Sequence, residues 1–426
     1  MKILLSAYAC EPDKGSEPGV GWNWALALER LGYDVHVITR SNNREAIERV
    51  LDPSRSRLKF DYYDLPAWAR FWKHWPGGIY LYYVLWQLGA YRLAKRLHAR
   101  EHFDLVHHIT FVSFRQPSFM GGLGIPFIFG PVGGGESMPR QFHRALPLRC
   151  RFAERVRNLG NLLVAIDPMM RYTYSRASVI ACTTDETMQA IPGPFRDKCV
   201  VQRAIGIDEL RIGKSAGAVE IVQTQEQRAQ FLFVGRLLYW KGLHLALRAL
   251  AKVREDVSNV RLRIIGEGRD ADWFKSIADD AKVSDLVEWI PPRPQQEIWE
   301  EYRRSIGFVF PSLHDSGGMV VLEALAAGLP VICLNLGGPG AMVDPSCGFR
   351  VEATETSESE VISGLASAIV QLAQNAGLRQ RLADGALRRA RELTWDAAAK
   401  SLFSHAEIAE HSVKARADKS LLINQM

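Results

Sequence analysis

The 426-residue chain reads as an α/β protein built from two Rossmann-like domains, and three observations predict this. Strand, glycine turn and helix alternate along both halves, the pattern of parallel sheets covered by helices. In the second half, glycines at 235, 266, 317 and 337 follow successive apolar runs, which lines one sheet edge with helix starts. Residues 209–228 are polar and poor in bulky apolar side chains. They have the composition of a linker and divide the chain into parts of roughly 200 residues, whereas one core would be too large for the whole.

Hydrophobic residues make up 47% and charged residues 23%, a globular balance. The net charge of +6 suits anionic partners or lipid surfaces, although an ordinary solvated basic surface accounts for it equally well. No helix-turn-helix, zinc-finger or aromatic-glycine RNA motif is present, so nucleic acid is not an expected partner. Cys10, Cys150, Cys182, Cys199, Cys333 and Cys347 are scattered without metal-like spacing, as reduced core residues of a cytoplasmic protein would be. The first apolar run is too short and too soon followed by Glu11 and Asp13 for a signal peptide, and no run reaches membrane-spanning length.

In the first half, Ile3 to Ala7 is a buried strand, Cys10 to Gly21 a long loop, about Trp22 to Leu31 a helix closed by Gly32, and Asp34 to Thr39 the next strand. The loop holds Gly15, Ser16 and Gly19 but lacks the strict G-x-G-x-x-G order of a dinucleotide fingerprint. Residues 65–100 contain nine aromatics, six Lys or Arg and no acid. Trp68, Phe71, Trp72 and Trp75 alternate with Arg70 and Lys73, and a helix from about Ile79 to Arg100 carries a basic end. This is either an interfacial segment lying on an anionic membrane or a core helix whose basic end complements its dipole. Phe103 to Ile109 forms a strand with His107 and His108 at its end, and alternation directs at least one of them into the core. Pro126 to Phe129 leads into Gly133, Gly134, Gly135 and Glu136, a backbone that can approach a ligand closely, with Glu136 as a candidate acceptor-side group, or else a plain flexible loop. A basic helical segment follows (Arg149, Arg151, Arg155, Arg157), then a strand from Ala177 to Cys182 and a short helix to Ala190.

In the second half, Phe231 to Val234 is a strand, and Gly235 to Gly242 precedes a helix reaching about Ala251. Lys241 sits at that helix start, where the dipole disfavours a cation unless a polyanion neutralises it. Arg236, at the strand end, can fork onto two phosphate oxygens, unless the two cations are an ordinary surface pair. Strands at Arg261 to Ile265 and Leu286 to Ile290 follow, helices occupy about 357–393, and 397–412 reads as the final helix.

The most informative run is 308–332. Phe308 to Phe310 is a strand stopped by Pro311; Asp315 and Ser316 are good N-caps for a helix entered through Gly317 and Gly318 and stopped by Gly328 and Pro330. Free N–H groups and the positive helix end at this turn favour an anion such as phosphate. Glu323 stands among Val320, Val321, Leu322, Ala324 and Leu325, and a buried carboxylate needs partners. Those are either neighbouring protein groups or the hydroxyls of a ligand.

Asp315 and Glu323 are separated by seven residues, and the frame Pro-Ser-x-x-acid-x-Gly-Gly-x-x-x-x-Glu-Ala-x-Ala-x-Gly-x-Pro-Val resembles the donor-site signature of retaining family 4 glycosyltransferases. Gly235-Arg236-x-x-x-x-Lys241-Gly242 is similar to their diphosphate clamp, and Asp104 and His107 match an Asp-x-x-His motif. Two departures are Asp315 where glutamate is usual, and Ser316-Gly317-Gly318-Met319 where Gly-Phe-Gly-Leu is usual. The resemblance covers nearly the whole chain. It implies the GT-B architecture, with an acceptor domain at 1–208, a donor domain at 209–396, and 397–426 returning to the first domain. The implied reaction moves a sugar from a nucleoside-diphosphate sugar to an acceptor hydroxyl, with retention, on a glycan or lipid-linked acceptor in cell-surface polysaccharide synthesis. Arg236 and Lys241, with the amides of Gly317, Gly318, Met319 and Val320, would hold the diphosphate, Glu323 the ribose and Asp315 the sugar. His107 or His108 would lie near the donor sugar, and Gly15, Ser16 and Gly19 near donor phosphate and acceptor. No Asp-x-Asp motif is present, so the cations would stand in for a metal, with no cofactor. The enzyme would be cytoplasmic, peripheral on the inner face of the cell membrane. A sugar-nucleotide epimerase, a phosphorylase or a catalytically silent binding protein are the alternatives.

Overall fold

A computed structural model of the chain describes residues 1–52, 54–70, 77–213 and 229–405. Two compact α/β units result. The first comprises Met1–Gly135, Leu159–Ile205 and the chain from Trp395; the second comprises Glu136–Asn158 and Gly206–Thr394. The expected linker lies mostly outside the described residues, and 136–158, read from sequence as part of the first half, lies with the second unit.

The first unit is a seven-stranded parallel sheet of β1 (Lys2–Ala7), β2 (Asp34–Arg40), β3 (Lys59–Tyr63), β4 (Leu105–Thr110), β5 (Phe127–Val132), β6 (Val179–Cys182) and β7 (Cys199–Val201), in the order β3-β2-β1-β4-β5-β6-β7. β4 and β5 are buried at every position, as strands covered by helices on both faces must be. The helix Ser16–Arg30 begins six residues before its expected start, with Pro18 in its first turn, where a missing N–H costs nothing. The loop read as Cys10 to Gly21 therefore ends at Gly15, and Gly19 is helical. The helix Gly78–Glu101 buries Tyr82, Tyr83 and Trp86 in the core, which decides those three rings for the core reading. Trp68, Tyr80 and Leu81 are exposed, whereas Phe71, Trp72, Lys73 and Trp75 lie outside the described residues. Helical residues 395–405 lie on this unit: Arg30 Nε donates to Asp396 at 3.0 Å, and the Phe403 ring is 5.2 Å from that of Tyr33.

The second unit is a six-stranded parallel sheet of β8 (Ala229–Val234), β9 (Val260–Ile265), β10 (Val287–Ile290), β11 (Gly307–Phe310), β12 (Val331–Leu334) and β13 (Gly348–Val351), in the order β10-β9-β8-β11-β12-β13. The chain moves outward from β8 to β10 and then returns to place β11 against the other side of β8, pairing Gly307 with Phe231. The strand order thus reverses between β8 and β11. The carboxyl ends of strands at such a reversal are where open α/β sheets bind ligands. The loop after β8 carries Arg236 and Lys241, and the loop after β11 carries Asp315, Gly317 and Gly318.

Candidate functional site

At this reversal Lys241 closes a short 3-10 turn, Tyr239–Lys241, ahead of the helix Leu243–Asp256. Gly242 between them has φ +69°, and a Cβ there would lie 1.8 Å from the Pro311 carbonyl oxygen. Only glycine allows this close approach of the two loops. Lys241 Nζ forms an ion pair with Asp315 Oδ2, both side chains being mostly buried, and lies 5.0 Å from the Phe310 ring centre. The cation at the helix start is therefore neutralised by the Asp315 carboxylate, where the sequence alone pointed to a polyanion.

Asp315 Oδ1 also accepts from the Gly317 N–H at 3.3 Å. The helix Met319–Ala326 is capped by Gly318 at φ +80°, with no side-chain bond, so Asp315 and Ser316 are not its N-cap. Its physical basis is the left-handed conformation, which brings Gly318 against Pro339 and leaves the amides of the first turn, at Met319 and Val320, without helical partners. Gly338 N–H donates to the Asp315 carbonyl at 2.8 Å, so the 337–340 loop braces the turn through backbone.

Glu323, buried in that helix, accepts from Gln295 Nε2 at 3.0 Å and from the Tyr302 hydroxyl at 3.2 Å. Burial pushes its pKa up, opposed by these two bonds and by the Arg211 charge. The helix Gln295–Arg304 that supplies both partners follows β10, and nothing in the local pattern of 308–332 marks it. A cavity of about 670 Å³ opens at the carboxyl ends of β8 and β9. Val234, Ile265, Pro292 and Ile298 make apolar walls, while Arg236, Arg269 and Arg293 outnumber Glu267. An apolar slot rimmed by cations fits a planar ring carrying phosphates.

The segment 136–158 adds two carboxylates to the same turn. Glu136 accepts from Ser316 Oγ at 2.7 Å. Glu154, fully buried, accepts from His314 Nε2 at 2.9 Å and from the Tyr239 hydroxyl at 2.8 Å, with Arg157 at 3.8 Å. The His314 ring stacks on Trp240, centres 5.6 Å apart. Sequence reasoning missed Glu154, His314, Tyr239, Gln295 and Tyr302, and placed Glu136 on the acceptor side.

The remaining predicted residues belong to the first unit. Gly15 caps the helix Ser16–Arg30, Gly19 lies in its first turns, and the Ser16 side chain is not among those described. Gly133 accepts from Phe114 N–H at 3.0 Å, and Gly134 has φ +95°. His107 and His108 point to opposite faces of β4, yet both are enclosed. His107 donates to the Gly130 carbonyl at 2.6 Å, and His108 shares a hydrogen bond with the Tyr83 hydroxyl at 3.2 Å and stacks on Phe129. Burial lowers their pKa to about 4 and about 3, making both neutral core groups at physiological pH. Because the unfolded imidazoles bind protons more readily, their stabilisation is complete above about pH 6.5 and lost as pH falls toward the folded values. His108→Phe is accordingly expected to flatten the rise in unfolding free energy between about pH 4 and 6.5. Denaturant titrations across that range read it, and an unchanged slope refutes the assignment.

Residues 218–388 match the model of a family described as glycosyl transferases group 1. The chain is 31% identical over 177 residues to a D-inositol 3-phosphate glycosyltransferase of Corynebacterium aurimucosum, covering 40% of this chain and 41% of that protein. It is 32% identical over 162 residues to a glycogen synthase of Mycobacterium tuberculosis, covering 38% of each. These alignments span about two fifths of the curated relatives' length. A glycosyltransferase structure from Rickettsia africae superposes over 96% of this chain and 98% of its own, with a TM-score of 0.62 at 14% identity, which places the fold among GT-B structures of two Rossmann-like domains.

Proposed function

From residues 218–388, which match the glycosyl transferases group 1 family model, we propose that this chain transfers a sugar from a nucleoside-diphosphate sugar to an acceptor hydroxyl with retained configuration. The observation that carries the reading is the placement of Arg236, the Lys241–Asp315 pair and the Gly318-capped helix that carries Glu323 on the segments following β8 and β11, with Arg236 also lining a cation-rimmed cavity at the ends of β8 and β9. The nucleotide occupies the cavity. Arg236 and Lys241 meet the diphosphate, and the Met319 and Val320 amides add donors to it. Glu323, already holding Gln295 and Tyr302, takes the ribose hydroxyls, and Asp315 takes the sugar. Departure adds one negative charge to the already anionic diphosphate, and preorganised cations stabilise that charge as it forms. The two cations do this without a divalent metal or other cofactor, so transfer persists in excess chelator.

The acceptor is a glycan or lipid-linked saccharide of cell-surface polysaccharide synthesis, reached from the cytoplasmic face. Peripheral membrane residence through 65–100 is supported by exposed Trp68, Tyr80 and Leu81. Nucleoside-diphosphate release from a panel of sugar donors, with and without lipid-linked acceptors, tests the reaction. Acceptor-dependent release with product of unchanged anomeric configuration is expected. Conversion of the donor without acceptor identifies an epimerase, phosphate-dependent turnover a phosphorylase, and binding without turnover a silent protein. Arg236→Ala is expected to weaken donor binding about tenfold or more by calorimetry, as loss of a charge-assisted pair does. Unchanged affinity removes Arg236 from the clamp.

A further inference from the structure

The helix Leu148–Leu163 is amphipathic in reverse. Leu148, Phe152, Val156, Leu159, Leu162 and Leu163 are all exposed, Leu148 by 79%, Phe152 by 68% and Leu162 by 73%. At 3.6 residues per turn these six share one face. Cys150, Glu154 and Arg157 share the opposite face, where Cys150 and Glu154 are buried and Arg157 is largely covered. A soluble protein normally turns such a helix the other way round, so a contiguous outward apolar stripe of this length marks a contact surface. Ile166, 74% exposed, follows just beyond the helix.

The charge around the stripe identifies what covers it. Between residues 140 and 163 there are six arginines and one acid, and that acid, Glu154, faces inward. Arg155 is exposed and falls within the apolar stripe by helical spacing. Arg151 is held at its margin by the carbonyls of Leu146 and Arg144. Arg149, by contrast, is tied to Asp270 at 2.8 Å, helping to fix which face looks outward. A second copy of the chain would bring arginine against arginine. An anionic bilayer supplies hydrocarbon for the stripe and phosphates for the guanidiniums at the same depth.

We propose that this helix lies flat in the surface of an anionic phospholipid membrane, Phe152 and the leucines entering the acyl boundary and Arg151 and Arg155 meeting headgroup phosphates. The proposal stands on the helix alone and is independent of the sugar-transfer reading. The test is co-sedimentation of the full chain with phosphatidylglycerol-rich and phosphatidylcholine vesicles at low and high salt. The parent is expected to prefer the anionic vesicles. Phe152→Ser/Leu159→Ser/Leu162→Ser is expected to lower the partition coefficient about tenfold or more, and Arg151→Gln/Arg155→Gln to remove most of its salt dependence. Unchanged thermal unfolding shows that these exposed-site variants fold. The proposal is overturned if the parent does not partition, if the serine variant partitions like the parent, or if only Trp68→Ser/Tyr80→Ser abolishes binding. It is equally overturned if the parent is a dimer that the serine variant converts to monomer, since the stripe is then a self-interface.

Discussion

Lys241→Ala is expected to lower the rate of sugar transfer by about 10²–10³-fold, the cost of removing one preorganised charge from a developing anion. Lys241 stands at the end of a rigid turn and is ion-paired with Asp315, so its ammonium is already oriented by the protein. Its removal also leaves the Asp315 carboxylate uncompensated beside the position assigned to the diphosphate, which adds repulsion to the lost attraction. The double variant Lys241→Ala/Asp315→Asn separates the two effects. Under the proposed role, neutralising Asp315 restores donor binding in part, while turnover stays low because the leaving diphosphate still lacks its cation. Recovery of full turnover in the double variant would show that Lys241 serves only to neutralise Asp315. Steady-state kinetics that resolve kcat from KM decide between these outcomes.

Glu154→Leu is expected to destabilise the protein by about 3–5 kcal/mol, the usual loss when one partner of a buried ionic group is removed. The carboxylate accepts from His314 and Tyr239 and faces Arg157, so the apolar replacement leaves two donors and a guanidinium opposite a group that accepts nothing. Burial alone would raise the pKa of Glu154; the bond and charge of His314, the Tyr239 hydroxyl and the Arg157 guanidinium hold it below the ordinary value. A lowered folded pKa contributes stability that is present above the unfolded value of about 4.3 and lost as pH falls through the folded one. The leucine variant should therefore lose that part of the acid dependence as well as midpoint stability. Equal denaturant midpoints for parent and variant at neutral pH would refute the buried network. Activity should fall too, because Tyr239 lies two residues before Lys241 and His314 one residue before Asp315.

Arg236, Lys241, Asp315, Gly317, Gly318 and Glu323 were all legible in the sequence, and all belong to one unit around one sheet reversal. Each sits in a short local motif, where a strand end, a glycine and a helix start fix the direction of the side chain within a few residues. The partners of these groups were not legible. Gln295 and Tyr302 reach Glu323 from a helix 28 and 21 residues earlier in the chain, and Glu136 reaches Ser316 across 180 residues. Hydrogen bonds of that separation leave no period or spacing in the sequence. His107 and His108 show the converse: alternation correctly sets them on opposite faces of β4, but it carries no information about whether a face is covered.

By itself, then, the sequence determined two parallel-sheet units, the glycine turns at their strand ends and the cations and carboxylates those turns carry, because hydrophobic period and turn chemistry act over a few residues. Only the tertiary structure decided that 136–158 lies with the second unit, that the Lys241 cation is balanced by Asp315, and that the helix Leu148–Leu163 turns its apolar face outward. The physical reason is common to all three. Periodicity states which residues share a face, but the direction of that face depends on where the opposite side finds partners. For this helix the partners are inward: Arg149 on Asp270, and Glu154 among His314, Tyr239 and Arg157.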